Sequence, residues 1–424
     1  MNRAVTPAEA VSQIHDHARI YVHGDCAACL PLEAALAERA RGLEGLRVYQ
    51  VHKDGPEVLA DPALAGRLRI QSLFCGAGVR QAVAEGRADY IPINLSDIPA
   101  AIRAGLIPLD VAIVQLSWPD AAGYCSLGIS VDSAWQAVQS APVVIAELNR
   151  QMPRVNGPAR VHLDDLAAFT VTDRPLIERH SRAATPEIQA LGRHVAALVP
   201  DGATLQLGIG AIPDAILAAL HGKQDLGLHT EMFSDRVVDL VEAGVITNRR
   251  KSVDVGKTVV AFVAGTRRTY DFVADNPAVE FRPTDYTNDL AVIRAQHLMT
   301  SINAALQVDL TGQVCSDSLG ERIYSGVGGQ LDFVRGAALA QGGKSILALT
   351  SRAREVGRIV PILSPGAGVV TPRSHVQYVV TEHGVADLRA QPLAARAERL
   401  IAIAHPDDRA ALRAAAAGRR LFGF

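Results

Sequence analysis

Short apolar runs alternate with amphipathic segments through the N-terminal half of the chain. Ile20–His23, Arg47–His52 and Val111–Gln115 have the length and β-branched content of buried strands. Pro31–Arg41, between the first two runs, has the spacing of a helix with one apolar face. Strands and helices in alternation predict a parallel or mostly parallel sheet that is covered on both faces.

A polar stretch, Asp173–Thr185, interrupts this alternation and reads as an interdomain linker. The pattern then restarts with a predicted strand over Thr204–Leu207, and a later strand is predicted over Thr258–Val263. We therefore predict an α/β protein of two open, mostly parallel domains, residues 1–180 and 181–424.

Composition narrows the class of partner. Lys and Arg total 42 against 44 Asp and Glu, which gives a net charge of −2. A balanced charge argues against nucleic acid or an anionic membrane as the main partner and leaves a small molecule. The chain has no apolar run long enough to span a bilayer, and its N-terminus lacks the apolar core of a signal peptide. We expect a cytoplasmic protein.

The stretch from Gly208 to Glu231 carries the clearest chemistry. It opens with a Gly-rich corner, GIGAIPD, ahead of a predicted helix, and it ends with an apolar strand followed by Glu231. Amide groups at such a corner suit an oxyanion or a phosphate. Pro213 and Asp214 stand where a dinucleotide fingerprint needs its third glycine, which disfavours that interpretation. A tight turn and a capping or salt-bridged glutamate are the structural alternatives.

Two further segments combine glycine with polar residues. Tyr324–Phe333, YSGVGGQLDF, leaves backbone exposed to close approach by a ligand. Thr381–Leu388, TEHGVADL, places His383 between acidic residues, where a structural network at a turn is the simpler interpretation. The motifs of serine hydrolases and zinc proteases, G-x-S-x-G and H-E-x-x-H, are absent.

The five cysteines form an odd, sparse set that does not suggest a disulfide framework. Cys26 and Cys29 form a C-x-x-C pair, which is open to a redox or metal role. No second pair or nearby histidines complete a zinc site, so we predict no bound metal and two small residues at a turn.

Several of these segments together resemble the class I coenzyme A transferases, in the acetyl-CoA hydrolase/transferase branch. The likeness covers nearly the whole chain. It rests on GRADYIPINLSDIP and LDVAIVQLSWPDAAGYCSLGISVDSA in the N-terminal half, and on GIGAIPDA, LHTEMFSD, YSGVGGQLDFVRGA, GGKSI and VTEHGVADLR in the C-terminal half.

The resemblance implies specific roles for residues of this chain. Glu231 matches the glutamate that forms a glutamyl-CoA thioester, and Lys344 matches a lysine position near bound CoA. Two glycine-rich loops match those that line the thioester site and bind CoA or supply oxyanion-hole amides: Gly208, Ile209, Gly210, Ala211, Ile212, Gly328 and Gly329. The resemblance further implies an active site between two domains, a homodimer, and CoA or acyl-CoA as substrate with no tightly bound cofactor.

The implied reaction is transfer of CoA from a short-chain acyl-CoA to a carboxylate, of the 4-hydroxybutyrate, butyrate or acetate type. An acyl-CoA hydrolase using the same glutamate and a non-catalytic CoA-binding regulator are the alternatives. Arg236 departs from the family pattern, which usually has glycine after Ser-Asp, and Cys26-Ala-Ala-Cys29 replaces a Gly/Ala/Thr-rich loop. Both departures bear on which acyl donor and acceptor are used, and the sequence does not identify these.

Overall fold

The computed structural model of the protein describes residues 4–181 and 183–419. The chain forms two compact units. The first comprises the chain up to His180 together with Val259–Thr287 and Ile323–Gly328. The second comprises Ser181–Thr258, Asn288–Arg322 and the chain from Gly329 onward. Two segments that the sequence analysis assigned to the second domain therefore pack with the first unit.

The helices are α1 (Pro7–Val11), α2 (Leu30–Ala40), α3 (Arg80–Ala84), α4 (Ile98–Arg103), α5 (Ala134–Ser140), α6 (Pro186–Leu198), α7 (Ala211–Ala218), α8 (Asp235–Glu242), α9 (Arg267–Val273), α10 (Thr284–Thr287), α11 (Leu290–Ala295), α12 (Gln330–Leu339), α13 (Leu393–Ile403) and α14 (Arg409–Ala417).

The strands are β1 (Arg19–Val22), β2 (Leu46–Gln50), β3 (Leu68–Ser72), β4 (Asp89–Tyr90), β5 (Val111–Leu116), β6 (Tyr124–Ser126), β7 (Val143–Asn149), β8 (Arg160–His162), β9 (Ala168–Thr172), β10 (Thr204–Leu207), β11 (Gly227–Leu228), β12 (Met232–Phe233), β13 (Thr258–Val260), β14 (Phe262–Val263), β15 (Val279–Phe281), β16 (Thr300–Ala304), β17 (Gln307–Asp309), β18 (Val314–Cys315), β19 (Ser318–Leu319), β20 (Arg322–Ile323), β21 (Lys344–Ala348), β22 (Arg352–Ala353), β23 (Val356–Gly357), β24 (Ile359–Val360), β25 (Tyr378–Thr381) and β26 (Gly384–Asp387).

The first unit is built on a seven-stranded sheet of order β4-β3-β2-β1-β5-β7-β9, in which every neighbouring pair is parallel. Its strands are rich in Val, Ile and Leu because both faces are covered. Ile20 and Val48 pack with Leu32 and Leu36 of α2 in a core that water does not reach. The strand order reverses between β1 and β5.

The second unit is built on a six-stranded sheet of order β11-β10-β16-β21-β25-β26. Neighbouring strands are parallel except β26, which turns back antiparallel to β25. Here the strand order reverses between β10 and β16, where Gln206 and Asn303 exchange side-chain amide hydrogen bonds of 3.2 and 3.1 Å. Together the two sheets confirm the predicted fold class of two open, mostly parallel α/β units. In such sheets, ligands bind beyond the carboxyl ends of the strands, near the point of reversal.

The prediction of one continuous strand over Thr258–Val263 is wrong. The segment forms β13 and β14, which are separated at Ala261. The Ala261 carbonyl accepts a hydrogen bond of 2.9 Å from the backbone of Val131 in the first unit. The apolar run is therefore divided between two short strands, of which β13 pairs with β15.

Candidate active site

Glu231 lies just beyond the carboxyl end of β11 in the second unit. His229 extends the parallel pairing by donating to the Leu205 carbonyl at 3.0 Å, and the Thr230 hydroxyl donates to the Leu207 carbonyl at 3.0 Å. These bonds fix the backbone on both sides of the strand end, so Glu231 projects from a rigid support. The residue is buried, with 7% of its surface exposed.

Asn288 holds the Glu231 carboxylate. The Asn288 amide nitrogen donates to Oε1 of Glu231 at 2.7 Å and to Oδ2 of Asp332 at 3.1 Å. Asp332 lies in the first turn of α12. One amide group thus links two carboxylates, and it restricts the rotamer of Glu231 without carrying a charge of its own.

Gly329 forms the wall against which this carboxylate rests. A Cβ atom at position 329 would overlap both Oε1 of Glu231 and Nδ2 of Asn288. The φ angle of Gly329 is −99°, so its need for glycine comes from the close approach of the carboxylate and not from its backbone conformation. Bare backbone at this position lets a peptide group lie directly beside Glu231.

Burial raises the pKa of the Glu231 carboxyl from its ordinary 4.5 to about 7. The hydrogen bond from Asn288 opposes this rise because it stabilises the charged form, while the nearby Asp332 carboxylate adds to it by repulsion. A buried carboxyl group with a pKa near neutrality is typical of catalytic sites, because it is poised to be a nucleophile or a base.

The Gly208–Ile212 corner follows β10, which pairs with β11 in the sheet. Gly210 precedes α7 with φ 118° and ψ −176°, a conformation that is essentially restricted to glycine. A Cβ atom at Gly208 or Gly210 would have no heavy atom within 4 Å. The start of α7, with Ala211 and Ile212 as its first residues, therefore presents backbone to open space beside the strand that leads to Glu231.

Gly328 and Gly329 are consecutive but belong to different units. In the first unit the Gly328 carbonyl accepts from the Leu95 backbone at 3.1 Å, and Gly328 has a left-handed φ of 56°. A Cβ atom there would lie 3.2 Å from the ring of Phe74. In the second unit Gly329 precedes the first turn of α12 and contacts the carboxylate of Glu231. The two glycines are therefore required for different reasons.

Lys344 is not brought close to Glu231 in the second unit. Lys344 is the first residue of β21, whereas Glu231 lies just beyond the carboxyl end of β11. Because the strands are parallel, Lys344 lies where the strands begin and Glu231 lies where they end. Its Nζ donates to the Leu198 carbonyl at 2.6 Å. Partial burial and the neighbouring cations Arg389 and Lys223 lower the pKa of Lys344.

The cysteines are buried free thiols. Burial raises the pKa of both Cys26 and Cys29, and the Cys26 thiol donates to Asp54 at 3.6 Å. Across residues 4–181 and 183–419, no group of three or more His, Cys, Asp and Glu side chains is arranged to hold a metal ion. Within the same ranges, no helix is both long and apolar enough to cross a membrane.

Asn288 is the important residue that the sequence analysis missed. It precedes Asp289, which caps α11 by accepting from the backbone of Ala291 at 2.8 Å and Val292 at 2.9 Å. An Asn-Asp pair ahead of an apolar run predicts that a helix begins there. It does not indicate that the asparagine reaches a glutamate 57 positions earlier in the chain.

A buried glutamate that is held at a strand end against the bare backbone of Gly329 is a candidate nucleophile or general base in an α/β protein. Residues 1–178 match the N-terminal domain of the acetyl-CoA hydrolase/transferase family, and residues 265–416 match its C-terminal domain. The chain belongs to this family.

The chain is 44% identical over 412 residues to the 4-hydroxybutyrate coenzyme A transferase of Clostridium kluyveri, covering 97% of this chain and 96% of that one. It is also 44% identical over 417 residues to the succinyl-CoA:acetate/propanoyl-CoA:succinate CoA transferase of Fasciola hepatica, covering 97% and 87%. Among solved structures, it is similar to RipA from Yersinia pestis, with a TM-score of 0.92, 38% identity and coverage of 98% and 97%.

Proposed function

We propose that this protein is an acyl-CoA:carboxylate CoA-transferase in which Glu231 forms a covalent thioester with CoA. The proposal is carried by one observation: a buried carboxylate, held by Asn288 and lying against the bare backbone of Gly329, with a pKa raised to about 7. The names of the two curated relatives, both CoA transferases over almost the whole chain, support the same reaction.

The reaction begins with attack by a Glu231 oxygen on the carbonyl carbon of the acyl-CoA. The carbon–sulfur bond breaks, CoA leaves as a thiolate, and the acyl group and Glu231 form a mixed anhydride. The thiolate then attacks the glutamyl carbonyl and the acyl group leaves as a free carboxylate. The product is a glutamyl-CoA thioester, in which the energy of the original thioester is retained.

An acceptor carboxylate then reverses these steps. It attacks the glutamyl-CoA carbonyl and expels CoA thiolate, and the thiolate attacks the acceptor's carbonyl in the new anhydride. This attack releases the new acyl-CoA and restores the Glu231 carboxylate. Each tetrahedral intermediate carries an oxyanion, for which the backbone amides of the Gly208–Ile212 corner and of Gly329 are the proposed donors. Such donors in a protected site each contribute roughly a hundredfold or more to the rate.

The raised pKa of Glu231 suits this chemistry. A carboxylate is a weak nucleophile in water because it is strongly solvated, and burial removes part of that solvation. Asn288 supplies a hydrogen bond that keeps a useful fraction of the group ionised at neutral pH.

Hydrolysis by the same glutamate differs only in the final acceptor, which would be water. A homodimer and a cytoplasmic location stay predictions from the sequence and its resemblance. The role of Gly328 as an oxyanion donor and the position of Lys344 near CoA also stay predictions.

The covalent step is tested by intact-protein mass spectrometry after incubation with butyryl-CoA in the absence of acceptor. The wild-type mass should increase by one CoA less one water, and the adduct should disappear when acetate is added. Glu231→Gln should form no adduct and should not transfer, whereas the exposed control Glu398→Gln should behave like wild type. Normal transfer by Glu231→Gln would refute the assignment.

A panel of acyl-CoA donors against carboxylate acceptors, with water alone as a control, separates transfer from hydrolysis. Parallel double-reciprocal plots are expected, because the first product leaves before the acceptor binds. Turnover with water at the rate seen with the best carboxylate would favour the hydrolase.

A further inference from the structure

A cavity of about 450 Å³ lies in the first unit, at the end of the main sheet where strands β2, β3 and β4 begin. Ligand crevices of parallel sheets lie at the other end, beyond the carboxyl ends of the strands. The cavity is therefore separate from the crevice that the topology of this sheet provides. Its volume falls within the range of small-molecule sites.

Four arginines line this cavity, and among the described residues no acidic side chain does. They are Arg47 in β2, Arg67 and Arg69 at the start of β3, and Arg87 ahead of β4. Each guanidinium group presents paired N–H donors in the geometry of phosphate oxygens. Four such groups around one cavity are suited to a ligand with more than one phosphate.

Three turns of the chain supply these arginines in the same way. Each turn has a glycine with a left-handed φ, followed by arginine within three residues: Gly45-Leu46-Arg47, Gly66-Arg67-Leu68-Arg69 and Gly86-Arg87. At Gly66 and Gly86, with φ of 79° and 72°, a Cβ atom would have no heavy atom within 4 Å. These two turns therefore leave open space beside the guanidinium groups.

Two of the four arginines are not neutralised. Arg69 and Arg87 are each paired with a carboxylate at 2.6 Å. Arg47 and Arg67 are exposed, and no described residue forms a hydrogen bond or ion pair with either guanidinium group. The hydrogen bond from Arg69 holds the pKa of Asp89 below its ordinary value, and the more distant Arg47 adds to this effect. The four arginines and their two carboxylate partners therefore leave a surplus of positive charge.

The register of the sheet makes this arrangement costly. Arg47 is the Cα partner of Arg69 on β3 and of Arg19 on β1, so three arginines form one row on the same face of the sheet. Neighbouring strands lie about 4.8 Å apart, and like charges on directly opposite residues destabilise a sheet. The outer two, Arg19 and Arg69, are each held by a carboxylate, whereas Arg47 at the centre is not. An anionic ligand would remove this repulsion.

From this arrangement we infer that the cavity binds a small molecule with two or more phosphate groups, at a site separate from that of acyl-CoA. Arg47 and Arg67 are the expected contacts, because they have no other partner. A small molecule is favoured over nucleic acid because the arginines line a cavity and the whole chain has a net charge of −2. Every lining residue belongs to the first unit, whereas Glu231 belongs to the second, so this inference does not depend on the proposed function.

The first test is titration calorimetry on the full chain with inorganic tripolyphosphate as the probe. Wild type should bind it saturably, and Arg47→Ser and Arg67→Ser should each weaken binding by roughly tenfold or more, as expected for loss of a charged hydrogen bond. Arg47→Lys should keep part of the affinity, because it retains the charge but not the paired donors. The control Arg413→Ser, which removes an exposed arginine on α14, should keep all of it. Wild-type affinity in the double variant Arg47→Ser/Arg67→Ser would overturn the inference, as would the absence of saturable binding to wild type.

The melting temperature provides a readout that a purely structural role would not produce. Without ligand, Arg47→Ser should melt at or above the wild-type temperature, because it removes like-charge repulsion from the row. Tripolyphosphate should raise the melting temperature of wild type but not of the double variant, and sodium chloride at the same ionic strength should have a smaller effect. Equal effects of the two salts would mean that screening alone is responsible. That result, or early melting of Arg47→Ser, would overturn the inference.

Competition separates this site from that of the substrate. In Glu231→Gln, which is expected not to turn over the donor, the arginine-dependent binding of tripolyphosphate should be the same with and without saturating butyryl-CoA. Loss of that binding when butyryl-CoA is added would mean that the cavity takes the phosphates of CoA, and it would overturn the assignment to a separate ligand. Wild-type protein that binds tripolyphosphate through these arginines but transfers no CoA would refute the proposed function and leave this site intact.

Discussion

Gly329 lies so close to Glu231 that no side chain fits at position 329 unless Glu231 changes its conformation. A Cβ atom at position 329 would overlap Oε1 of Glu231 and the amide of Asn288. The glycine is therefore part of the geometry of the proposed nucleophile, because it fixes the side on which the carboxylate rests.

We predict that Gly329→Ala lowers kcat for transfer by a hundredfold or more, because Glu231 must rotate away from Asn288 to accept the new methyl group. Activity should be measured together with the melting temperature. Gly222→Ala is the matched control, since a Cβ atom there would have no heavy atom within 4 Å. If Gly329→Ala melts early yet transfers normally per folded molecule, the glycine serves the fold only.

We predict that the acidic limb of the pH–rate profile can be moved in opposite directions by two substitutions. Glu231 must be ionised to attack, so the rate of adduct formation should rise with pH, reach half its maximum at about pH 7 and level off at higher pH. Asn288→Ala removes a donor to the carboxylate and should move this limb to higher pH. Asp332→Asn removes a neighbouring negative charge and should move it to lower pH. Shifts in the same direction would show that general disturbance of the site outweighs these local effects.

We predict that Glu231→Gln stabilises the protein, and more so at high pH. The pKa of Glu231 is about 7 in the folded protein and about 4.5 in the unfolded chain, so the folded form holds an extra proton between these values. Stability is therefore lost as pH rises through this window. The advantage of the glutamine variant should grow by roughly 2 kcal/mol between pH 5 and pH 8, measured by urea unfolding. The exposed control Glu398→Gln should show no such trend; a constant difference for Glu231→Gln would contradict the raised pKa.

We predict that Cys26 and Cys29 are neither a redox pair nor a metal site. Their thiols are buried, and burial raises the pKa of each, so the reactive thiolate is rare. Native protein should react slowly with iodoacetamide at these positions, and Cys26→Ser with Cys29→Ser should leave transfer insensitive to reductant. Stoichiometric zinc in the purified protein that is absent from the double variant would contradict this prediction.

Local pattern was enough to predict the fold class and the strand that leads to Glu231. Apolar runs between amphipathic segments reflect burial on both faces of a parallel sheet, which is a property of each element by itself. The glycine corner was also visible, because the backbone conformation of Gly210 demands glycine. The prediction of one continuous strand over Thr258–Val263 was wrong. Its division at Ala261 involves a hydrogen bond from Val131, which is distant in the sequence.

The surroundings of Glu231 could not be predicted in the same way. The pKa of Glu231 depends on the depth of its burial and on Asn288 and Asp332, which arrive from other elements of the second unit. The cavity with Arg47 and Arg67 likewise joins the starts of three strands, and neither arginine stood out in the sequence. Contacts between distant segments carry no periodic signal, so they become visible only in the folded chain.

The first unit is assembled from three separate lengths of chain, and this affects how the protein can be made. Its main sheet is complete at β9, but Gly157 lies against the backbone of Phe281, and Val131 pairs with Ala261, which are supplied 124 and 130 residues later. The last piece, ending at Gly328, leaves the ribosome only after about half of the second unit. The first unit therefore cannot finish folding until its last segment has been synthesised. Separate expression of the chain on either side of the linker would not yield two independently folded proteins.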